Sequence, residues 1–134
     1  MFRSSTICAL CLAASAAFAQ ADRERLVANV DADGVQRVRV VAGSYFFKPN
    51  HIVMKVNVPV ELSASRESGI TPHNLILKAP EAGLAVEVDL GTEARKIQFK
   101  PTAVGSYPFY CGKKLPFIAS HREKGMEGVL EVVP

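Results

Sequence analysis

The sequence has few of the residues that build metal clusters and lacks the charge runs that bind nucleic acids. Its 134 residues include only three cysteines, three histidines and no tryptophan. Three cysteines are too few for a zinc–cysteine framework, and three histidines are too few for an oxidase with several metal sites. Sixteen basic and 13 acidic residues leave a net charge of +3, without a basic run that would indicate a nucleic-acid partner. The positions of the few cysteines and histidines are therefore informative.

Positions 1–19 have the pattern of a secretory signal peptide. Arg3 gives a positive start, positions 7–19 are uncharged and apolar, and Ala-Phe-Ala at 17–19 fits the cleavage pattern. The apolar stretch is too short to span a bilayer. We therefore predict an exported, periplasmic protein with no stable membrane insertion after cleavage. A buried N-terminal helix and a lipid anchor at Cys8 or Cys11 are the alternatives.

Cleavage after position 19 would leave Cys111 as the single cysteine of the mature chain. A lone cysteine in an exported protein cannot form an internal disulfide. Cys111 would then be a free thiol, a partner in an intermolecular disulfide or a metal ligand.

The rest of the chain alternates between apolar and polar residues in short runs separated by turn residues, which predicts β-strands. Examples are Val38, Val40 and Ala42, then Ile52, Met54, Val56 and Val58. At the end of the chain, Val129, Glu131 and Val133 alternate with Leu130 and Val132. We predict an all-β domain over 34–134, preceded by a polar lead-in at 20–33. Its fold class is an antiparallel β-sandwich of seven or eight strands with Greek-key connections. The segment 113–122 leaves room for one short helix.

Four side chains carry most of the chemical information: His73, Cys111, His121 and Met126. Taken singly, each has an ordinary explanation, since a cysteine or methionine can pack in a core and a loop histidine is usually solvated. Taken together, they supply soft sulfur and imidazole, which is a ligand set that favours copper. The last three residues lie in one stretch between two predicted strands.

These elements resemble the cupredoxins, the blue-copper proteins such as plastocyanin and pseudoazurin. The resemblance covers about 38–133, and it rests on Pro-His-Asn at 72–74, Gly-Ser-Tyr-Pro-Phe-Tyr-Cys at 105–111, His121 and Met126. It implies a Greek-key sandwich that binds one copper ion near one end. It implies His73, Cys111 and His121 as equatorial ligands and Met126 as the weak axial ligand.

The same resemblance assigns Asn74 a supporting role beside the metal. Its side chain would tie the ligand strands together, and its backbone N–H would donate toward the Cys111 sulfur. The alternative is that Asn74 only forms a turn.

The loop between Cys111 and His121 departs from the plastocyanin pattern. It has nine residues and is longer than the plastocyanin loop. Its length is closer to that in the copper domain of nitrite reductases and in periplasmic cupredoxins linked to copper tolerance. Three apolar residues of this loop would cap the metal and form a docking patch for a partner protein; they are Leu115, Phe117 and Ile118. The alternative is that their side chains are simply buried.

Positive residues surround the loop; they are Lys113, Lys114, Arg122 and Lys124. They would form a collar that steers an acidic redox partner, or they would form only a solvated rim.

The expected function is therefore one-electron transfer with an unidentified redox protein. The alternative is a copper-handling or copper-tolerance protein of the periplasm that uses the same site. We do not expect an enzyme, because only His51 remains for a further metal site. We interpret His51 as a surface residue and Met54 as a core residue.

Overall fold

The computed structural model describes residues 24–134, so the predicted signal peptide lies outside them. These residues form eleven β-strands and one 3-10 helix at Pro80–Ala82. The strands are β1 (Arg25–Val27), β2 (Asn29–Val30), β3 (Gln36–Gly43), β4 (Phe46–Lys48), β5 (His51–Lys55), β6 (Val60–Arg66), β7 (His73–Ala79), β8 (Leu84–Leu90), β9 (Arg95–Phe99), β10 (Gly105–Tyr110) and β11 (Glu127–Val133). Within 24–134, no helix is long and apolar enough to cross a membrane.

The strands form two sheets that pack face to face. One sheet has six strands in the order β1-β5-β11-β10-β7-β8. The other has five, with β2-β3-β6-β9 in order and β4 paired to β3. The N-terminal segment joins both sheets, since β1 pairs with β5 and β2 pairs with β3.

The core lies between the two sheets and follows the alternation seen in the sequence. In β3, Val38 and Val40 are buried, whereas Arg37 and Arg39 between them are exposed. Side chains from both sheets meet in one apolar cluster. The rings of Phe47 from β4 and Phe109 from β10 contact each other edge to face across the sandwich, with centroids 5.3 Å apart. The predicted all-β sandwich is confirmed.

The strand count and the strand directions differ from the prediction. Residues 24–134 contain eleven strands rather than seven or eight, because β1, β2 and β4 have only two or three residues and are too short to show alternation. The sheets are mixed rather than antiparallel, since β1–β5, β5–β11 and β3–β6 are parallel pairs. Alternation shows which side of a strand is buried, but it does not show which neighbour the strand pairs with.

The polar lead-in contributes two short strands to the sandwich. From residue 25 onward it contains β1 and β2, and the Ala28 N–H between them donates to the carbonyl of Val53 at 2.9 Å. Edge strands are held by backbone hydrogen bonds, which do not require apolar side chains.

The segment 113–122 forms turns rather than a short helix. A single backbone hydrogen bond closes its first turn, from the Ile118 N–H to the Leu115 carbonyl at 3.3 Å. Phe117 has a φ of 61°, in the left-handed region, and this conformation interrupts a right-handed helix.

Candidate metal centre

Three of the predicted ligands meet at one end of the sandwich. His73 begins β7, Cys111 follows the last residue of β10, and His121 lies in the loop that leads to β11. Because β7 and β10 are antiparallel neighbours, the start of one lies beside the end of the other. The exposed fractions are only 4% for His73, 0% for Cys111 and 6% for His121.

The donor atoms of these residues form a compact triangle, with all three within 4.8 Å of one another. The Cys111 Sγ lies 3.4 Å from Nδ1 of His121 and 3.9 Å from Nδ1 of His73. A transition metal such as zinc bonds to nitrogen and sulfur at about 2.0–2.3 Å, so one ion can reach all three atoms. Two imidazoles and one thiolate in a trigonal plane are the ligands of a blue-copper site.

Burial keeps both imidazoles in the form that binds metals. Desolvation is the main cause that lowers the pKa of His73, and the charges of His121 and Arg66 add to it. Desolvation also lowers the pKa of His121, with a smaller effect from Lys124. A metal ligand must be a neutral imidazole, so both residues favour the ligating form at neutral pH.

Met126 lies at the same end of the sandwich and is fully buried. Its backbone bonds to both neighbouring ligand residues. The Cys111 N–H donates to the Met126 carbonyl at 3.1 Å, and the Met126 N–H donates to the His121 carbonyl at 3.0 Å. The chain thus brings the fourth predicted residue to the cluster, and its role as an axial ligand stays a prediction.

Asn74 makes both of the contacts expected of it. Its backbone N–H donates to the Cys111 Sγ at 3.5 Å, and its side-chain Oδ1 accepts from the Gly112 N–H at 2.7 Å. The second bond fastens the start of β7 to the residue that follows Cys111.

The turn that carries His121 is closed by a motif that our sequence analysis missed. The Ser120 N–H donates to Oε2 of Glu123 at 2.6 Å, and the Glu123 N–H donates to Oγ of Ser120 at 3.2 Å. These bonds also lower the pKa of Glu123. Reciprocal bonds of this kind form a capping box, whose sequence signal is Ser-x-x-Glu. The His121 N–H further donates to the Lys113 carbonyl at 2.9 Å, which closes the ligand loop.

Tyr45 is a second neighbour of the centre that sequence reasoning missed. It lies between β3 and β4, and its ring contacts the His121 ring edge to face with centroids 4.9 Å apart. The Lys124 Nζ lies 4.3 Å from the centroid of the Tyr45 ring and 3.2 Å from its hydroxyl oxygen. No sequence signal links Tyr45 to residues so far along the chain.

The apolar residues of the ligand loop are exposed rather than buried. Leu115, Phe117 and Ile118 all face solvent, and we call them the loop patch. A groove beside His121 is lined by Leu115 and Ile118 of this patch, together with Tyr45, Ile70, Thr71, Pro72, Ala119 and three lysines. The alternative of buried packing is therefore wrong for these side chains.

The predicted positive collar is partly neutralised. Lys113 forms an ion pair with Asp89 at 2.7 Å, and Arg122 forms one with Glu127 at 2.9 Å. Within residues 24–134, Lys114 and Lys124 have no acidic partner. Both line the groove beside His121, so the groove keeps a positive character.

The remaining histidine and core methionine lie away from the cluster. His51 is half-buried, with Nε2 2.7 Å from Oε2 of Glu131, so its interpretation as a surface residue is only partly right. Met54 is 2% exposed and belongs to the core, as predicted.

No family model and no curated protein matches the sequence. Solved structures match in fold. The metal-binding domain of the Cu(I)-exporting P-type ATPase CopA of Streptococcus pneumoniae D39 has a TM-score of 0.61 at 23% identity, over 84% of this chain and 98% of that chain. Auracyanin A, a "blue" copper protein of Chloroflexus aurantiacus, has a TM-score of 0.54 at 17% identity, over 75% and 100%. The periplasmic domain of cytochrome oxidase subunit II of Bradyrhizobium japonicum has a TM-score of 0.55 at 14% identity, over 72% and 83%.

These similarities concern the arrangement of the strands, since all three identities are below 25%. They agree with the two mixed sheets described above and with the resemblance noted in the sequence. The chain has the cupredoxin fold.

Proposed function

We propose that the protein binds one copper ion through His73, Cys111 and His121, with Met126 as a weak axial ligand, and that it carries single electrons. The observation that carries this proposal is the buried triangle of two imidazole nitrogens and one sulfur within 4.8 Å. Among common sites, a His2Cys plane with a distant methionine is characteristic of electron-transfer copper.

The surroundings of the triangle favour a fixed geometry. Cys111 is held through its own N–H by Met126, and its sulfur accepts from the Asn74 N–H. His121 is held through its N–H by the Lys113 carbonyl. A bound copper ion would supply the electron by alternating between Cu(I) and Cu(II). Bonds from outside the ligand set that hold the ligands in one geometry keep the ligand rearrangement at each electron transfer small.

The groove beside His121 supports the proposal that a partner protein docks at this end of the sandwich. His121 is 6% exposed and belongs to the lining of this groove, so it lies closer to a docked protein than the fully buried Cys111 does. The loop patch offers apolar contact area, and Lys114 and Lys124 favour an acidic partner surface. The partner would be a periplasmic redox protein if positions 1–19 direct export as predicted.

Copper handling is the second candidate function, and one comparison favours it. The metal-binding domain with a TM-score of 0.61 belongs to a Cu(I)-exporting ATPase. A protein with this role would hold Cu(I) in the same triangle and pass on the ion rather than the electron. No enzymatic activity is proposed, because His51 is paired with Glu131 and lies outside the donor cluster.

Copper titration of the mature protein tests the site. We expect one equivalent of Cu(II) to produce an intense visible band from thiolate-to-copper charge transfer. Cys111→Ser should abolish the band, whereas His51→Ala should keep it, since His51 is the histidine outside the cluster. Absence of the band from the wild-type protein, or its loss in His51→Ala, would contradict the proposed ligand set.

Two further measurements separate the candidate functions. A carrier should show reversible one-electron voltammetry, and a strain without the gene should tolerate copper normally. A copper-tolerance protein should instead release Cu(I) readily to a competing thiol, and its deletion should make cells copper-sensitive. Copper sensitivity of the deletion strain together with irreversible voltammetry would overturn the carrier assignment.

A further inference from the structure

We infer that Tyr45 is a positioning residue for His121, and that Lys124 holds the tyrosine ring in place for this role. The inference rests on the proposed copper site, since it concerns the orientation of one of its ligands. It adds a residue from the opposite sheet to a centre that is otherwise built on β7, β10 and the ligand loop.

His121 is the ligand with the least support from regular structure. His73 and Cys111 lie at the ends of paired strands, whereas His121 lies in a turn that follows the exposed segment 114–119. Its backbone is fixed by the Lys113 carbonyl and by Met126, but these bonds do not fix the rotation of its ring. Side-chain contacts must therefore set the direction in which Nδ1 points.

Two ring contacts supply that restraint. The His121 ring lies 5.1 Å from the His73 ring at an interplanar angle of 57°, and 4.9 Å from the Tyr45 ring at 62°. His73 is itself a predicted ligand, so Tyr45 is the ring from outside the donor set. Tyr45 packs against the apolar core, which gives it a rigid base. An edge-to-face contact against a rigid ring limits rotation of the imidazole.

Lys124 closes this arrangement into a clamp. Its backbone N–H bonds to the carbonyls of Ser120 and His121, at 3.1 and 3.2 Å, so it moves with the turn that carries the ligand. Its ammonium group lies over the Tyr45 ring and donates to the tyrosine hydroxyl. A cation over an aromatic face is attracted by the ring quadrupole. The turn that carries His121 therefore also holds, through Lys124, the Tyr45 ring that orients His121.

The clamp predicts a specific effect of losing the ring. Tyr45→Leu leaves a side chain that still packs on the core but no longer offers an aromatic edge to His121. We expect faster or wider motion of the imidazole, because an aromatic restraint from outside the donor set is gone. Residues that orient metal ligands typically change metal affinity by 10–100-fold, so we expect copper affinity to fall about 10-fold.

The test compares Tyr45→Leu with Tyr45→Phe, Lys124→Met and Tyr107→Leu. Tyr45→Phe keeps the ring and loses only the hydroxyl, so it should resemble the wild type. Lys124→Met should show a smaller effect than Tyr45→Leu. Tyr107→Leu is the matched control, since the Tyr107 hydroxyl bonds to the Ala103 carbonyl on the approach to β10 and not to the ligand loop. It removes the same atoms without touching His121.

Two readouts distinguish positioning from general stability. In the metal-free protein, NMR relaxation of the His121 ring should report increased motion in Tyr45→Leu alone among the tyrosine variants. In the Cu(II) protein, the same variant should show altered EPR and visible spectra.

Unchanged ring relaxation and unchanged spectra in Tyr45→Leu would overturn the inference. If Tyr45→Leu fails to fold, unchanged ring relaxation in Lys124→Met overturns it. Failure of wild type to bind copper would refute the proposed function, while the metal-free NMR result would still decide the role of Tyr45.

Discussion

Asn74 is joined to Gly112 by a 2.7 Å hydrogen bond, which the asparagine Oδ1 accepts from the glycine N–H. This bond connects the strand that begins with His73 to the residue after Cys111. The Asn74 backbone N–H independently donates to the Cys111 sulfur. One residue therefore contributes to the site in two ways, and only the side-chain contribution can be removed by substitution.

Asn74→Ala should loosen the site without destroying it. A lost intramolecular hydrogen bond costs about 1 kcal/mol, so we expect the free energy of unfolding of the metal-free protein to fall by about that amount. The backbone N–H remains, so the visible copper band should persist, while copper should exchange faster. Urea unfolding and transfer of copper to a chelator measure the two effects. Asn29→Ala is the control, because Asn29 is exposed on the edge strand β2. An equal rate of copper exchange in the two variants would contradict the prediction.

Met126→Leu should change the redox potential more than the stability. The exchange of methionine for leucine conserves volume in a buried position, so it should cost less than about 1.5 kcal/mol. The potential of a His2Cys site is set partly by its axial ligand and by the hydrophobicity around it. Leucine offers no donor atom and makes the surroundings of the copper more apolar, which disfavours the more highly charged Cu(II), so the potential measured by voltammetry should rise.

Met54→Leu is a matched control for this substitution. Met54 is equally buried, but it packs in the core on β5 and is not a predicted ligand. It should show a similar small change in stability and no change in potential. An unchanged potential in Met126→Leu would argue that the methionine is only a packing residue.

The four candidate ligands were visible in the sequence because their chemistry is rare in this chain. Once positions 1–19 are set aside, Cys111 is the only cysteine, and His121 and Met126 follow it before the last strand. Burial of β3 was also predictable, because alternation of apolar side chains directly reports which face is covered. These features depend on residue type and local spacing alone.

Other features depend on contacts between distant parts of the chain. Tyr45 reaches His121 only because the turn between β3 and β4 lies at the same end of the sandwich as the ligand loop. The parallel pairing of β5 with β11 follows from the route of the chain between sheets, which short periodicities do not encode. The expected helix in the ligand loop failed for a local reason, since Phe117 adopts a left-handed conformation.

Gly128→Ala should destabilise the fold next to the metal centre. A Cβ at this position would lie 2.3 Å from Cζ of Phe109 and 2.5 Å from the backbone oxygen of Asn50. The ring belongs to the core contact between the sheets and the oxygen belongs to the backbone, so neither can move freely. Overpacking of this kind costs about 1–3 kcal/mol. Thermal unfolding of the metal-free protein measures the loss.

Gly91→Ala provides the comparison at a permissive glycine. A Cβ there would approach no atom closer than 3.9 Å. We expect a change in stability within about 0.5 kcal/mol, as for most surface substitutions. Equal stability of the two alanine variants would show that the backbone near Gly128 relaxes more than the packing indicates.

Lys114→Glu should slow electron exchange with an anion without affecting the fold. Lys114 is exposed, lines the groove beside His121 and has no acidic partner within residues 24–134. Reversal of its charge replaces attraction by repulsion for an approaching anion such as hexacyanoferrate, which serves as a probe for an acidic partner. We expect a several-fold slower bimolecular rate at 0.1 M salt, with unchanged thermal stability.

Salt dependence and a second lysine identify the cause of this slowing. Lys100→Glu makes the same charge change at an exposed residue that lines a different groove, together with Arg37 and Gln98. Its rate should stay near that of the wild type, because interactions beyond the Debye length of about 10 Å at 0.1 M salt are screened. The deficit of Lys114→Glu should shrink as salt is raised toward 1 M, where that length is about 3 Å. A deficit that persists at high salt, or that appears equally in Lys100→Glu, would mean that electrons do not leave through the groove beside His121.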